Sequence, residues 1–557
     1  MANINAASSI LHNVAAPVLP TDVANKAYVD ALTITALSGA GPFTISTTLP
    51  NRVTFATPGT AAVANLPSIA NASVIAGWRI TFANLGSTTD LVFLVPNGTD
   101  TIAGAKFYRI FQKGLVSLIV DKTTNTWLLE AEHVGFPTTI TNFVSNTGND
   151  NNLGTSTSPV RTIRQAVLLS DVQWTAGPPI ISVPSGYSSD ELSGATVQVP
   201  KPKPGSGGQP LSIVGPTPID AGFGTITATG GADQTSTAFP TVTYGTVAGL
   251  ANNGGAEYFM WGLSGALSNR RFPVISSTST VLEFARTGAT FSSGTFEIRK
   301  PNAVMQVKLT SDSGASLTIT DMDLFVSGSG NQSSFTGITL TTTRCRHGLS
   351  LTNCTTTLNT SIVPFDGGSN FGIGVFNGSL TVVNGNLRAL VTSSGTASLS
   401  YTASGCDDVP GAGAGPGQAV IASQASMGIG GCIFRETAFF AVFVTGRSRL
   451  DVNNSYIHTP THSATTSPFI FKEQSLGTFK SVTGDTGAGA PQSIDVQSGS
   501  FVEVDAATTI NANGAGNAVN VGVLGRKSWA QIAAGAAADT FDGGSVNGTG
   551  VCVTKNL

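Results

Sequence analysis

"LTITD" at 317–321, "LSLTN" at 349–353, "LTVVN" at 380–384 and "LDVNN" at 450–454 share one pattern: apolar, any, apolar, any, then Asn or Asp. Two apolar residues at alternate positions describe a short strand with one face inward. The Asn or Asp that follows describes a corner, because these residues tolerate a left-handed backbone and hydrogen-bond locally. The first three phrases start 31 to 32 residues apart, and the last gap is close to twice that. Spacing in this range is the mark of a solenoid. No 3.6-residue periodicity accompanies it, so the reading predicts a coil of parallel strands rather than stacked helices. The corner Asn side chains are expected to stack from coil to coil.

The composition fits. Among 557 residues the charged fraction is 11% and glycine numbers 65, while Val, Ile, Thr and Phe are plentiful. Disordered chains are also polar, but they carry charge and lack β-branched and aromatic residues. A net charge of −3 argues against a nucleic-acid partner, which calls for a basic face. A surface of Thr, Ser and Asn suits neutral hydrogen-bonding partners such as sugars. The N-terminus, "MANINAASSILHNVAAPVLP", has neither a basic segment nor an unbroken apolar core, so no secretory signal is read there. The densest apolar run, "AFFAVFV" at 438–444, is too short to span a bilayer. Cys345, Cys354, Cys406, Cys432 and Cys552 are odd in number and scattered, and read as reduced, mostly buried thiols. These features point to folding in a cytoplasm without membrane insertion.

Five segments follow from the changes in pattern. Residues 1–33 include "PVLPTDVANKAYVDAL", a single helix capped at Thr21 or Asp22 that packs on a neighbour or on copies of itself. Residues 34–140 read as a small antiparallel β-domain, with Asn97-Gly98 as a hairpin turn and Trp78 and Trp127 in its core. Residues 141–222 open the solenoid: "SNTGNDNNLGTSTSP" is a turn-rich junction, and "VRTIRQAV" is a short helix whose Val160, Ile163 and Val167 close the end of the core. Residues 223–300 read as a β-insert of paired antiparallel strands, and residues 301–557 continue the solenoid.

Candidate chemistry is sparse. A glycosidase needs two carboxyl groups about 5 to 9.5 Å apart, and a lyase needs a base. Asp321 holds a corner position and reads as structural; Asp323 could share its exposed face. If the chain is an enzyme, the candidates are Asp407 and Asp408 in "GCDDVPGAGAGPG", with Glu436 about one coil further on. His458 and His462 have a spacing that suits zinc on a helix, which Pro460 and the neighbouring threonines forbid. Cys345 and His347 have no second pair of ligands nearby. Arg270 and Arg271 could meet an acidic sugar but read as a solvated turn. No metal or cofactor site is expected.

Three pieces carry a family resemblance. "PTDVANKAYVDAL" resembles a helical motif near the N-termini of bacteriophage tail-fibre and tail-spike proteins, where chains associate in threes. "GWRITFANLG", "VPNGTDTIAG" and "VSLIVDKTTNTWLL" look like a small β-domain of such fibres. Gly148-Asn149-Asp150, Gly154-Thr155, Pro159 and Thr162-Ile163-Arg164-Gln165-Ala166 are similar to the start of pectate-lyase-like right-handed β-helices. Together they cover most of the chain, and their order is what carries the resemblance. It implies an all-β chain, a right-handed parallel β-helix behind an N-terminal helix and small β-domain. It further implies a homotrimeric virion protein, bound through its N-terminus to other tail or baseplate proteins and presenting the solenoid to a host surface polysaccharide. Many such spikes end in a separate trimerisation or chaperone domain. This sequence ends strand-like at "VNGTGVCVTKNL", so trimer contacts are expected elsewhere, or the tip is another protein. The same scaffold also carries polysaccharide depolymerases, the alternative reading, and a cellular adhesin is the third.

Overall fold

The computed structural model describes residues 34–512 apart from short intervals, together with 517–521, 529–533 and 552–556. The N-terminal helix expected within 1–33 lies outside the described residues. From Thr141 onward the chain winds through three parallel sheets of 14, 11 and 11 strands, each strand pairing with the strand one coil away. This is a parallel β-solenoid. Its first face runs from Thr141–Phe143 through Ser316–Thr320 and Thr339–Thr343 to Cys552–Asn556.

Alternation explains the core. On the first face Leu317, Leu340, Thr356, Leu380, Leu399, Met427 and Leu450 stand in register, and all are buried. The residues between them point outward because strand side chains alternate. The apparent period of 31 to 32 residues is corrected by this register. Between Leu317 and Leu450 the coils vary in length, from 16 residues between Leu340 and Thr356 to 28 between Leu399 and Met427. Leu317, Leu380 and Leu450 share the first face, separated by two intervening coils in each case. Leu349 sits on the third face, between Ser333 and Ile373. Strands on every face read alike, so a phrase match cannot tell one face from another.

The corners are also different from expectation. Asp321, Arg344, Thr360, Asn384, Ala403, Gly431 and Asn454 each follow a first-face strand, and each has φ between 46° and 60°. Few of them are Asn. The stack is made by the backbone: the Asp321 amide donates to the Thr343 carbonyl, Arg344 to Asn359, Thr360 to Val383 and Asn384 to Thr402. One residue further on, small side chains turn inward. Cys345, Ser361, Ser404, Cys432 and Ser455 each donate a thiol or hydroxyl to the carbonyl two residues back. Cys345, Cys354 and Cys432 are buried and form no disulfide, as expected.

The helix α1 (Ile163–Asp171) closes the first coil. Val160, Ile163, Ala166 and Val167 are buried in the solenoid core beside Ile181, Tyr187 and Ile213. Its N-terminal amides have three acceptors. Thr162 Oγ1 takes Gln165 N–H, the Asp150 carboxylate takes Arg161 and Thr162 N–H, and Glu191 takes Ile163 and Arg164 N–H.

The segment before the solenoid is antiparallel only in part. Ile34–Ser38, Arg52–Thr57 and Arg79–Asn84 run parallel, as do Phe43–Thr44, Ala62–Asn65 and Val92–Val95 in a second sheet. The chain alternates between the two sheets, so each return to a sheet comes in the same direction. Antiparallel pairing begins with Tyr108–Ile110 against Val92–Val95 and continues with Leu115–Asp121 against Arg79–Asn84 and Thr126–His133. The Asn97-Gly98 turn therefore joins no hairpin: Val92–Val95 pairs with Tyr108–Ile110, while Thr101–Ile102 pairs with Thr126–His133 in the other sheet. Trp78 and Trp127 are core, edge to face at 5.7 Å.

Candidate functional site: the junction of insert and solenoid

After Leu211–Val214 on the first face, the chain reaches a corner at Gly215. A Cβ there would lie 2.3 Å from the Asp321 carbonyl oxygen. From that corner springs a seven-stranded antiparallel sheet running from Ile219–Asp220 to Gly294–Lys300. One of its faces has its own core, with Met260, Phe284, Phe291, Phe296 and Ile298. The other lies along the second face of the solenoid. Phe239, Ile275 and Ala285 pack on Ile433, and Asn386 Nδ2 donates to the Val274 carbonyl at 2.7 Å. Gly405 leaves room for the Phe239 ring, which a Cβ would meet at 2.6 Å.

Register assembles a charged cluster at the corner end of this junction. Trp261 is directly opposite Arg271 on one side and Glu297 on the other, with Arg299 two residues beyond Glu297. The guanidinium carbons of Arg271, Arg299 and the corner residue Arg344 lie 4.0, 5.1 and 5.8 Å from the Trp261 ring centre. Arg344 grips both oxygens of Asp321, through Nε at 2.7 Å and Nη2 at 2.8 Å. This bond favours the charged guanidinium and raises the Arg344 pKa. Glu297 accepts from Arg299 Nε at 2.8 Å and from the Thr225 hydroxyl at 3.1 Å. The Arg271 pKa is lowered, first by burial and then by the Arg344 charge. Asp323 pairs with Arg346 at 2.8 Å, and Glu283 with Arg435 and the Ser276 hydroxyl.

Asp321 is a structural corner residue, as read from the sequence, and shares no exposed face with Asp323. Both are buried, each tied to an arginine from the next coil. Arg271 is likewise no turn residue: it begins the strand Arg271–Ser277 and stacks on Trp261, whereas Arg270 is exposed. The Asp407 backbone ends the strand Gly405–Asp407, in register with Arg435. Asp408 and Glu436 lie outside the described residues. His458 is in the strand Tyr456–Thr459, in register with Arg435 and Asp485, and His462 lies outside the described residues.

Cys345 and His347 face the solenoid interior. Burial pushes the Cys345 thiol up to about 12 and the His347 imidazole down to about 3. Among the described residues no group of three or more His, Cys, Asp or Glu could hold a metal ion, and no helix is long and apolar enough to cross a membrane.

The alternation in "FMWG" and "FEIRK" places Trp261, Glu297 and Arg299 on one side of their strands once the two are paired. That signal was present in the sequence. The approach of Arg344, reached only across the junction, was not.

No protein family and no curated protein matches the chain. Among solved structures it is similar to a protein described as a glycoside hydrolase, at 10% identity and TM-score 0.33, over 69% of this chain and 96% of that one. It is also similar to the tailspike of Pseudomonas phage phi297, at 8% identity and TM-score 0.18, over 64% and 70%. A third likeness is to the tailspike of Pseudomonas phage LKA1, at 12% identity and TM-score 0.18, over 65% and 72%. Likenesses this slight carry no argument about activity.

Proposed function

We propose that the protein is a bacteriophage tail fibre or spike, assembled as a homotrimer, that presents its solenoid to a host surface glycan. The observation that carries the reading is the outer surface of the first face. Thr318, Thr341, Thr357, Thr381 and Ser400 stand in register on consecutive coils and are partly exposed. Strand neighbours lie about 4.8 Å apart, so this row is a rigid comb of hydroxyls without charge. Such a surface offers hydrogen bonds to the hydroxyls of a sugar chain at little conformational cost. The order of motifs supports the virion assignment, with a small β-domain and a capped solenoid behind an N-terminal stretch whose sequence resembles the tail-fibre motif. In this reading the N-terminus binds other tail or baseplate proteins.

Purified protein spotted on host lawns and applied to extracted host polysaccharide tests the proposal. Retention on the polysaccharide without release of fragments is expected, with light scattering giving the mass of three 56.6 kDa chains. A spreading halo with fragment release would show a depolymerase instead. No retention on the polysaccharide of any cell type to which the particle adsorbs would remove glycan binding, and a monomer mass would remove the trimer.

A further inference from the structure

The junction cluster leaves one of its cations unpaired among the described residues. Three guanidinium groups surround Trp261; Asp321 and Glu297 pair with two of them, and Asp220, opposite Arg299, gives its oxygens to the Phe223 and Gly224 amides. Those carboxylates are committed. Asp321 gives both oxygens to Arg344, and Glu297 divides its oxygens between Arg299 and Thr225. Arg271 has no acceptor among the described residues, and its Nε is buried without a partner. A buried donor left unsatisfied is costly, and a cation held near two others costs more. Nothing in the fold itself requires this charge, since Phe239, Ile275 and Asn386 already join insert to solenoid. Stacking on the indole at 4.0 Å fixes the plane of the guanidinium. A planar fork held in one orientation matches a carboxylate, which it can bind through two parallel hydrogen bonds.

We infer that Arg271, backed by Trp261 and flanked by Arg344, is a binding site for the carboxylate of an acidic sugar in the host glycan. The site rests on the glycan-binding reading and adds to it the class of residue bound. The exposed Thr225, already hydrogen-bonded to Glu297, places a hydroxyl on the same rim. The lowered Arg271 pKa agrees with a site that lacks its counter-charge.

The full chain and its Arg271→Gln variant would be applied to immobilised polygalacturonate, hyaluronan and polysialic acid, to neutral dextran, and to extracted host polysaccharide. Wild-type protein is expected on at least one acidic polymer, with retention falling as salt rises. Arg271→Gln should weaken that retention at least about ten-fold, the loss of one charge-assisted bidentate contact, with a thermal midpoint no lower than that of wild type. Should Arg271→Gln fail to fold, Arg271→Lys is read instead. It keeps the charge without the fork and should bind more weakly than wild type. No retention on any of the three acidic polymers, or equal retention by variant and wild type, would overturn the site. Host polysaccharide binding that survives either result leaves the broader function standing, whereas loss of all polysaccharide binding sinks both.

Discussion

At the residue scale the solenoid interior is unusual for holding an imidazole. His347 is fully buried, with Nε2 3.0 Å from the Thr342 hydroxyl and Nδ1 without a hydrogen-bond partner. Burial disfavours its charged form and brings its pKa from 6.5 to about 3. The unfolded chain therefore takes up a proton near pH 6.5 that the folded chain refuses until near pH 3. Stability from this group is complete above pH 6.5 and falls as the pH drops through that window, at about 1.4 kcal/mol per pH unit. In His347→Leu this acid slope should shrink by one proton, whatever the absolute stability becomes. Thermal denaturation of both proteins between pH 7 and pH 4 measures it, and equal slopes would refute the assignment.

At the scale of elements, α1 shows how a cap is made from both local and distant parts. Thr162 caps the helix from within the sequence motif, and Asp150 reaches it from the turn just before. Glu191 arrives from the strand end one turn of the coil later and accepts at 2.9 and 2.8 Å from Ile163 and Arg164. Anions at a helix N-terminus also meet the positive end of its dipole. Glu191→Ala should cost about 1–2 kcal/mol. Its signature would be faster hydrogen exchange of the α1 amides with little change in the later coils; unchanged exchange at 163–171 would show that Thr162 and Asp150 suffice.

At the scale of the molecule, the small β-domain and the solenoid share one core. Phe93 and Phe107 of the domain pack with Val144 and Val160 of the first coil. Between them lies Arg109, over both rings at 5.2 and 5.5 Å, donating to Asn142 Oδ1 at 2.9 Å and to the Leu153 carbonyl. Asn142 in turn donates to Ser170 of α1 at 2.8 Å. One chain of hydrogen bonds thus links domain, first strand and cap. Burial lowers the Arg109 pKa to about 9, because taking the guanidinium out of water disfavours its charged form. Arg109→Ala should break the joint, so that calorimetry shows two separate unfolding transitions where the native chain shows one. A single transition in the variant would mean the apolar contacts alone hold the parts together.

By itself the sequence determined the class of fold. Alternating apolar residues, abundant β-branched side chains and turn-forming corners leave a stacked coil of strands as the way to bury Leu317, Leu380 and Leu450 together. It also determined the cap, because Val160, Ile163 and Val167 follow a local helical pattern with Thr162 at its start. The pairing was decided only in three dimensions. Every face of the coil has the same alternation, so local pattern could not place Leu349 on the third face or reveal coils of unequal length. The same holds for the parallel start of the small β-domain, which depends on the chain crossing between two sheets. The junction site is tertiary for the same reason. Arg344 and Trp261 are 83 positions apart, and they meet because the insert leaves one corner and folds back on the two corners that follow.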